Sequence, residues 1–419
     1  MDKRTFIKTS GLVGLGSILS AEKFTDLINS VSRVPADDLA KQEDFWLTIR
    51  KGYRLNPDMI NLENGYYNFL PEQTLEKLIS HMRDINYQAS SYMRTVQFEK
   101  KAAMAAKLAE IAGAPADEVV ITRNTTESLD IIIAGFDWKP GDEAIMAEQD
   151  YPAMLSMFKQ VAKRHGVVNK IVSVPNHPLS DDEIVKLYAD AITPKTRLMM
   201  ICHMINITGQ ILPVRKICDM AHSRGVKVMV DGAHAFGHFR FKIPELGCDY
   251  YGASLHKWLS VPLGSGLLWV KKENISGIWP LIAPYDMSPD DIRRLNHIGT
   301  HPVYTDLTVE DAIDYYNMLG AERKEARLRY IQNYWTGKVR NMKHVILNTP
   351  ENPARSCAIA NVGVKSLKPS ELGDVLWKKY KIYCAPIDGA GVHGCRITPN
   401  VYTTTKELDV LVDALAVLK

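Results

Sequence analysis

The run Val226-Lys-Val-Met-Val-Asp231-Gly-Ala-His234 passes from β-branched residues straight into a carboxylate. Downstream stands Asp249-Tyr-Tyr-Gly-Ala-Ser-Leu-His-Lys-Trp-Leu-Ser-Val-Pro-Leu-Gly-Ser-Gly266, which sets Lys257 among aromatic and glycine neighbours. A short apolar run bounded by glycine reads as a buried strand. A carboxylate at its end is costly to bury unless a cation meets it. Outward from this pair, strands are predicted over 118–122, 143–147, 170–174, 197–202, 226–230 and 266–270, with helical segments over 125–134, 154–164, 181–191 and 214–223 between them. Such alternation predicts an α/β fold, a mostly parallel sheet covered by helices on both faces. Ligands of such sheets bind at the carboxyl ends of the strands. Beyond residue 301 the pattern changes to a long charged helix over 309–342, short strands and a closing amphipathic helix over 405–418. The expected organisation is a signal-like or disordered segment over 1–30, an N-terminal segment over 31–72 packing with the small domain, a large ligand-binding domain over 73–300 and a smaller α+β C-terminal domain over 301–419.

The 419 residues are 46% hydrophobic and 24% charged, ordinary globular usage that excludes disorder and collagen. Lys and Arg number 51 against 48 Asp and Glu, a net charge of +3 that argues against nucleic-acid binding by phosphate neutralisation. The 6 cysteines form no C-x-x-C pair, which argues against a zinc ribbon or a disulfide scaffold. His234 and His238 are spaced like metal ligands, but no glutamate stands between them as in a zinc-protease helix, so no metal is expected.

A lysine in a partly desolvated turn has a lowered pKa, and its neutral amine can attack an aldehyde to form a Schiff base. That chemistry fits pyridoxal 5'-phosphate, whose pyridine nitrogen pairs with a carboxylate that strengthens the ring as an electron sink. Asp231 supplies the carboxylate. Alone, it reads more readily as a cap or a structural ion pair, and Lys257 alone as a surface residue. Their order and context join them.

With these motifs the chain resembles the class V aminotransferase superfamily of pyridoxal-phosphate enzymes, of fold-type I architecture, from about Asn64 to the C-terminus. Leu255 departs from the pattern, replacing a small residue. The resemblance implies that Lys257 forms the internal aldimine and shuttles the Cα proton, with Ser254 and His256 as phosphate contacts. Thr125 and Thr126 would add phosphate donors where Arg123-Asn124-Thr125-Thr126-Glu127 opens a helix, an N-terminus whose free N–H groups favour anions. Asn124 and Glu127 also have the spacing of a capping box. Tyr151 takes the position of the residue that stacks on the cofactor ring. Asn206 and His234 would face its phenolic oxygen. Gly299 and Thr300 resemble the segment that reaches the neighbouring subunit's phosphate, which implies a homodimer with shared active sites. Arg396 would hold the α-carboxylate of an amino-acid substrate by a planar two-point contact.

The layout looks most like the isopenicillin N epimerase-like branch, implying Cα deprotonation of an α-amino acid or amino-acid-containing peptide through an external aldimine. Inversion needs a second acid, for which Tyr151 is the candidate. Transamination, β-elimination and desulfuration are the alternatives, the last disfavoured because Cys384 reads as a buried structural residue. A catalytically silent binding protein is the non-enzymatic alternative. The start, Met1-Asp-Lys3-Arg4 followed by the apolar stretch 11–19, is too short to span a membrane and resembles a twin-arginine export signal, with Leu19-Ser20-Ala21 as a candidate cleavage site. A periplasmic location follows from the resemblance; a cytoplasmic protein with an N-terminal extension is the alternative.

Overall fold

A computed structural model describes residues 21–418. The export-signal expectation over 1–20 lies outside the described residues. Among the described residues no helix is long and apolar enough to cross a membrane.

The large domain is built on seven strands: β1 (Val119–Thr122), β2 (Glu143–Ala147), β3 (Val168–Val172), β4 (Thr196–Cys202), β5 (Lys227–Asp231), β6 (Tyr250–Ser254) and β7 (Gly266–Val270), in the order β1-β7-β6-β5-β4-β2-β3. Only β7 runs against its neighbours. Every residue of β1, β2, β6 and β7 is buried, in keeping with sequences that do not alternate between apolar and polar residues. Helices cover both faces; one core gathers Ile145, Met199, Val228 and Tyr251, and the other gathers Ile132, Phe158, Met200 and Met229.

Strand β6 was not expected. Tyr250-Tyr-Gly-Ala-Ser254 opens with two strand-favouring tyrosines, but it lacks a β-branched residue and its glycine and small residues weaken the strand signature. The glycine is required by packing: a Cβ on Gly252 would stand 2.8 Å from Leu129 Cδ2 and 2.9 Å from Ser128 Cβ, on the helix Thr125–Gly135.

The smaller domain holds the antiparallel strands β8 (Val345–Leu347), β9 (Ala360–Val364), β10 (Ala385–Gly389) and β11 (Val392–Ile397), ordered β10-β11-β9-β8. The single helix expected over 309–342 is two, Val303–Leu319 and Ala321–Val339. Gly320, at φ +91°, breaks the helix between them, a conformation that side-chain-bearing residues rarely adopt. The segment grouped with the leader as far as residue 30 is also different: Ala21–Ser30 is helical, and the buried Phe24 stacks on Tyr315 at 4.9 Å. Phe24, Trp46 and Leu62 share one apolar core with Trp335, Leu376 and Leu411, so the N-terminal stretch and the C-terminal helices bury each other.

Candidate active site

The carboxyl ends of β1, β2, β4, β5 and β6 open into a cleft of about 790 Å³, closed on its other side by Arg396 of β11 and by residues 386–390. Lys257, Asp231, Thr125, Thr126, Tyr151, Asn206, His234, Ser254, His256 and Arg396 all line it. Gly299 and Thr300 do not; both are exposed, and Gly299 sits at φ +70°.

Asp231 ends β5 because the central strand delivers its last residue to the cleft floor. Its Oδ1 accepts the Ala233 amide at 2.9 Å, and Oδ2 has no protein donor among the described residues. Burial pushes the carboxyl's pKa up, opposed by the Ala233 N–H and the charge of Lys257. A cation donor such as a pyridinium N–H would relieve that cost. Burial also pushes the Lys257 amine down to about 8; Asp231 works against the shift, Arg396 reinforces it and Glu63 opposes it. The Lys257 turn is fixed from two sides, since Asn68 Nδ2 donates to the Lys257 carbonyl and Lys324 Nζ to that of Trp258.

Lys257 Nζ lies 3.0 Å from His234 Nε2. The Trp258 indole N–H reaches His234 Nδ1 at 3.5 Å. Burial, followed by the charges of Lys257 and Arg396, holds His234 well below its usual pKa, so the ring is neutral. A neutral ring that accepts at Nδ1 carries its hydrogen on Nε2, where it can donate to the Lys257 amine once that amine has lost its proton. His256 is pushed down to about 4 by burial and the Lys257 charge, and its buried Nδ1 has no partner.

At the other end of the cleft, Thr125 donates its amide N–H to Ser254 Oγ at 2.9 Å, and the two hydroxyls lie 2.7 Å apart. Asn124 caps the helix by accepting the Glu127 amide at 2.9 Å. The expected reciprocal box is displaced by one residue, because Glu127 reaches back to the Arg123 amide at 2.6 Å. The floor thus offers a lysine, a carboxylate with an open oxygen and a helix N-terminus with hydroxyls, donors that fit an aldehyde, a pyridine nitrogen and a phosphate respectively.

Tyr151 precedes the helix Pro152–His165 at the rim and is 43% exposed. Behind it, buried Asp150 accepts the Ala147 amide at 2.8 Å and the Cys202 thiol at 3.2 Å, and burial pushes its pKa up to about 7. Cys384 is buried, as expected. Arg396 reaches the cleft with its donors partly engaged: its Nε and Nη2 hold Glu63, with Nε to Oε2 at 3.2 Å, and Nη1 reaches the Asn206 carbonyl at 3.4 Å. Sequence reasoning missed Glu63, Asp150 and Cys202. For Glu63 the signal was an acidic residue following the buried Leu62; for the others, it was polar residues at the ends of strands already assigned.

A model of the family described as "Aminotransferase class-V" matches residues 69–411. Isopenicillin N epimerase of Streptomyces clavuligerus is 26% identical over 390 residues, 89% of this chain and 98% of that protein. Cysteine desulfurase of Haloferax volcanii is 24% identical over 382 residues, 85% and 88% of the two chains. Among solved structures, a C-DES variant with glycine covalently linked to its PLP cofactor superposes with a TM-score of 0.79 at 20% identity, covering 87% of this chain and 97% of that one. The architecture is that of the fold-type I enzymes, and the cofactor indicated is pyridoxal phosphate.

Proposed function

The chain belongs to the class-V aminotransferase family, and from that premise we propose that it removes and returns the Cα proton of an α-amino acid or amino-acid-containing peptide, as an epimerase. The observation that carries this reading is the cluster on the cleft floor: a lysine amine pushed down to about 8, 3.0 Å from a neutral histidine and beside a buried aspartate.

When bound, pyridoxal phosphate supplies an aldehyde that condenses with amines and a pyridinium ring that draws electrons from Cα. The chain's own residues do the rest. Lys257 is the residue that would hold the cofactor's aldehyde, and its free amine, once neutral, is the base placed to take the Cα proton. His234 orients that amine through Nε2. Asp231 would hold a negative charge towards the ring nitrogen, while Thr125, Thr126, Ser254 and His256 would hold the phosphate at the helix N-terminus. Inversion requires a proton from the opposite face, and Tyr151 at the rim is the group assigned to deliver it. Gly299 and Thr300, exposed in the single chain, fit a homodimer in which each reaches the other subunit's phosphate.

Transamination and β-elimination share these steps as far as loss of the Cα proton. Desulfuration is less well supported, because the cleft segment 386–390 carries no cysteine, Cys384 is buried, and burial, followed by Asp150 and Asp231, pushes the Cys202 thiol well above its usual value. The test is an absorption spectrum of the purified protein before and after borohydride, with peptide mapping, followed by incubation with amino acids and peptides in deuterium oxide. A reduced adduct on Lys257, absent from Lys257→Ala, together with deuterium at an inverted Cα, is expected. An oxo acid as product would indicate transamination instead. A colourless protein that takes up no added cofactor would favour the silent binding protein.

A further inference from the structure

The cleft contains a resident carboxylate where an arginine would otherwise be open to the substrate's. Arg396 is buried on β11, and Glu63 is buried against it. Glu63 takes the Nε and Nη2 donors together, and the Asn206 carbonyl takes one on Nη1. Of the five N–H donors of a guanidinium, two are left. The charge is already balanced, and an incoming carboxylate would lie beside a second one.

Glu63 is not a loose side chain that a substrate could push aside. Its backbone bridges Thr398, just beyond β11, in a parallel pairing. The Thr398 amide donates to the Leu62 carbonyl at 2.7 Å, and the Asn64 amide donates to Thr398 Oγ1 at 2.7 Å. Asn64 is held in turn by the Tyr402 hydroxyl at 2.6 Å. Gly65 lies flat on the guanidinium, and a Cβ there would come within 3.1 Å of Cζ. The stretch 62–65 therefore clamps both partners of the pair.

We infer that Glu63 is a specificity-determining residue that fills the carboxylate-binding edge of Arg396, so that the site takes an α-amino compound whose neighbouring carboxyl is neutral, in an amide or peptide linkage, in preference to a free α-amino acid. The remaining N–H donors serve a carbonyl oxygen as well as a carboxylate oxygen, and a neutral carbonyl meets no repulsion from Glu63. This rests on the reading of the cleft as a cofactor-dependent amine site and narrows it to the amino-terminal residue of a peptide or an amino-acid amide.

Two measurements test it. In holoenzyme, a panel of L-amino acids and their primary amides is titrated against the absorbance of the lysine-linked cofactor. The wild type should bind the amides more tightly, and in Glu63→Gln the acid-to-amide preference should swing tenfold or more toward the acid. Wild type binding the acids as tightly or more tightly, binding neither series, or a swing below tenfold in the variant would overturn the inference. In cofactor-free protein, acetate should raise the melting temperature of Glu63→Gln above the rise given by acetamide, and should give the wild type no such excess. Equal responses would overturn the inference even if the cofactor reading stood; a wild type lacking the lysine-linked band would refute the cofactor reading instead. Should Glu63→Gln fail to fold, Glu63→Asp, whose shorter carboxylate retreats from the guanidinium, and the wild-type acid-to-amide comparison carry the test.

Discussion

Lys257 and Asp231 illustrate how burial sets the chemistry of single residues. Moving a lysine out of water favours its uncharged form, the one that attacks a carbonyl, and a value of about 8 leaves a substantial minority of it in that form near neutral pH and half at pH 8. The rate at which cofactor-free protein captures pyridoxal phosphate should therefore rise as pH increases through about 8 and level off above it, measured by stopped-flow absorbance. A rate still climbing steeply towards the ordinary lysine pKa would contradict the burial argument. Asp231→Asn keeps the shape but removes the charge at the ring nitrogen, and should slow Cα deuterium exchange by about 10²-fold or more, a loss of the size seen when one preorganised electrostatic group is removed. Tyr151→Phe separates the two faces: exchange by Lys257 should persist while formation of the inverted isomer falls, as chiral chromatography would reveal. Loss of both together would make Tyr151 a binding residue and leave the second acid elsewhere.

At the level of the element, sequence patterns worked where local energetics and tertiary demand agree. Five buried strands rich in β-branched or apolar residues, β1, β2, β4, β5 and β7, lie within a residue of the expected positions, and β3 is shifted by two. The closing helix Thr405–Val417 begins at a reciprocal capping box between Thr404 and Glu407. Thr404→Ala should cost about 1 kcal/mol in urea denaturation. The pattern failed at β6, where the strand is imposed by its neighbours and Gly252 makes room for a helix. It failed again at Gly320, where a continuous helical periodicity hid a break between two helices. Gly320→Ala should cost about 1–3 kcal/mol through backbone strain alone, since no atom lies closer than 3.6 Å to the added Cβ. A neutral result would mean that the turn relaxes to another conformation.

For the whole molecule, the stretch between β7 and the helix Val303–Leu319 exposes Trp279, Leu281, Ile282 and Tyr285 on the same part of the chain as Gly299 and Thr300. Exposed large apolar groups gathered in this way mark association surfaces more often than free ones. The proposed homodimer should appear in sedimentation velocity, and Trp279→Glu together with Tyr285→Glu should give monomers with weakened cofactor affinity. The export proposal is read by N-terminal sequencing of protein from a periplasmic fraction; an intact Met1 in the cytosol would count against it. The sequence by itself determined the parallel α/β core and the lysine, aspartate and helix-terminus constellation, because β-branched runs, turn residues and caps act over a few residues and strand ends deliver side chains to one edge of the sheet. Only the tertiary structure decided the partner of Arg396. Glu63 and Arg396 are far apart in the chain, and only the pairing of the 62–65 stretch with the end of β11 brings one carboxylate onto one guanidinium; no local pattern records that meeting.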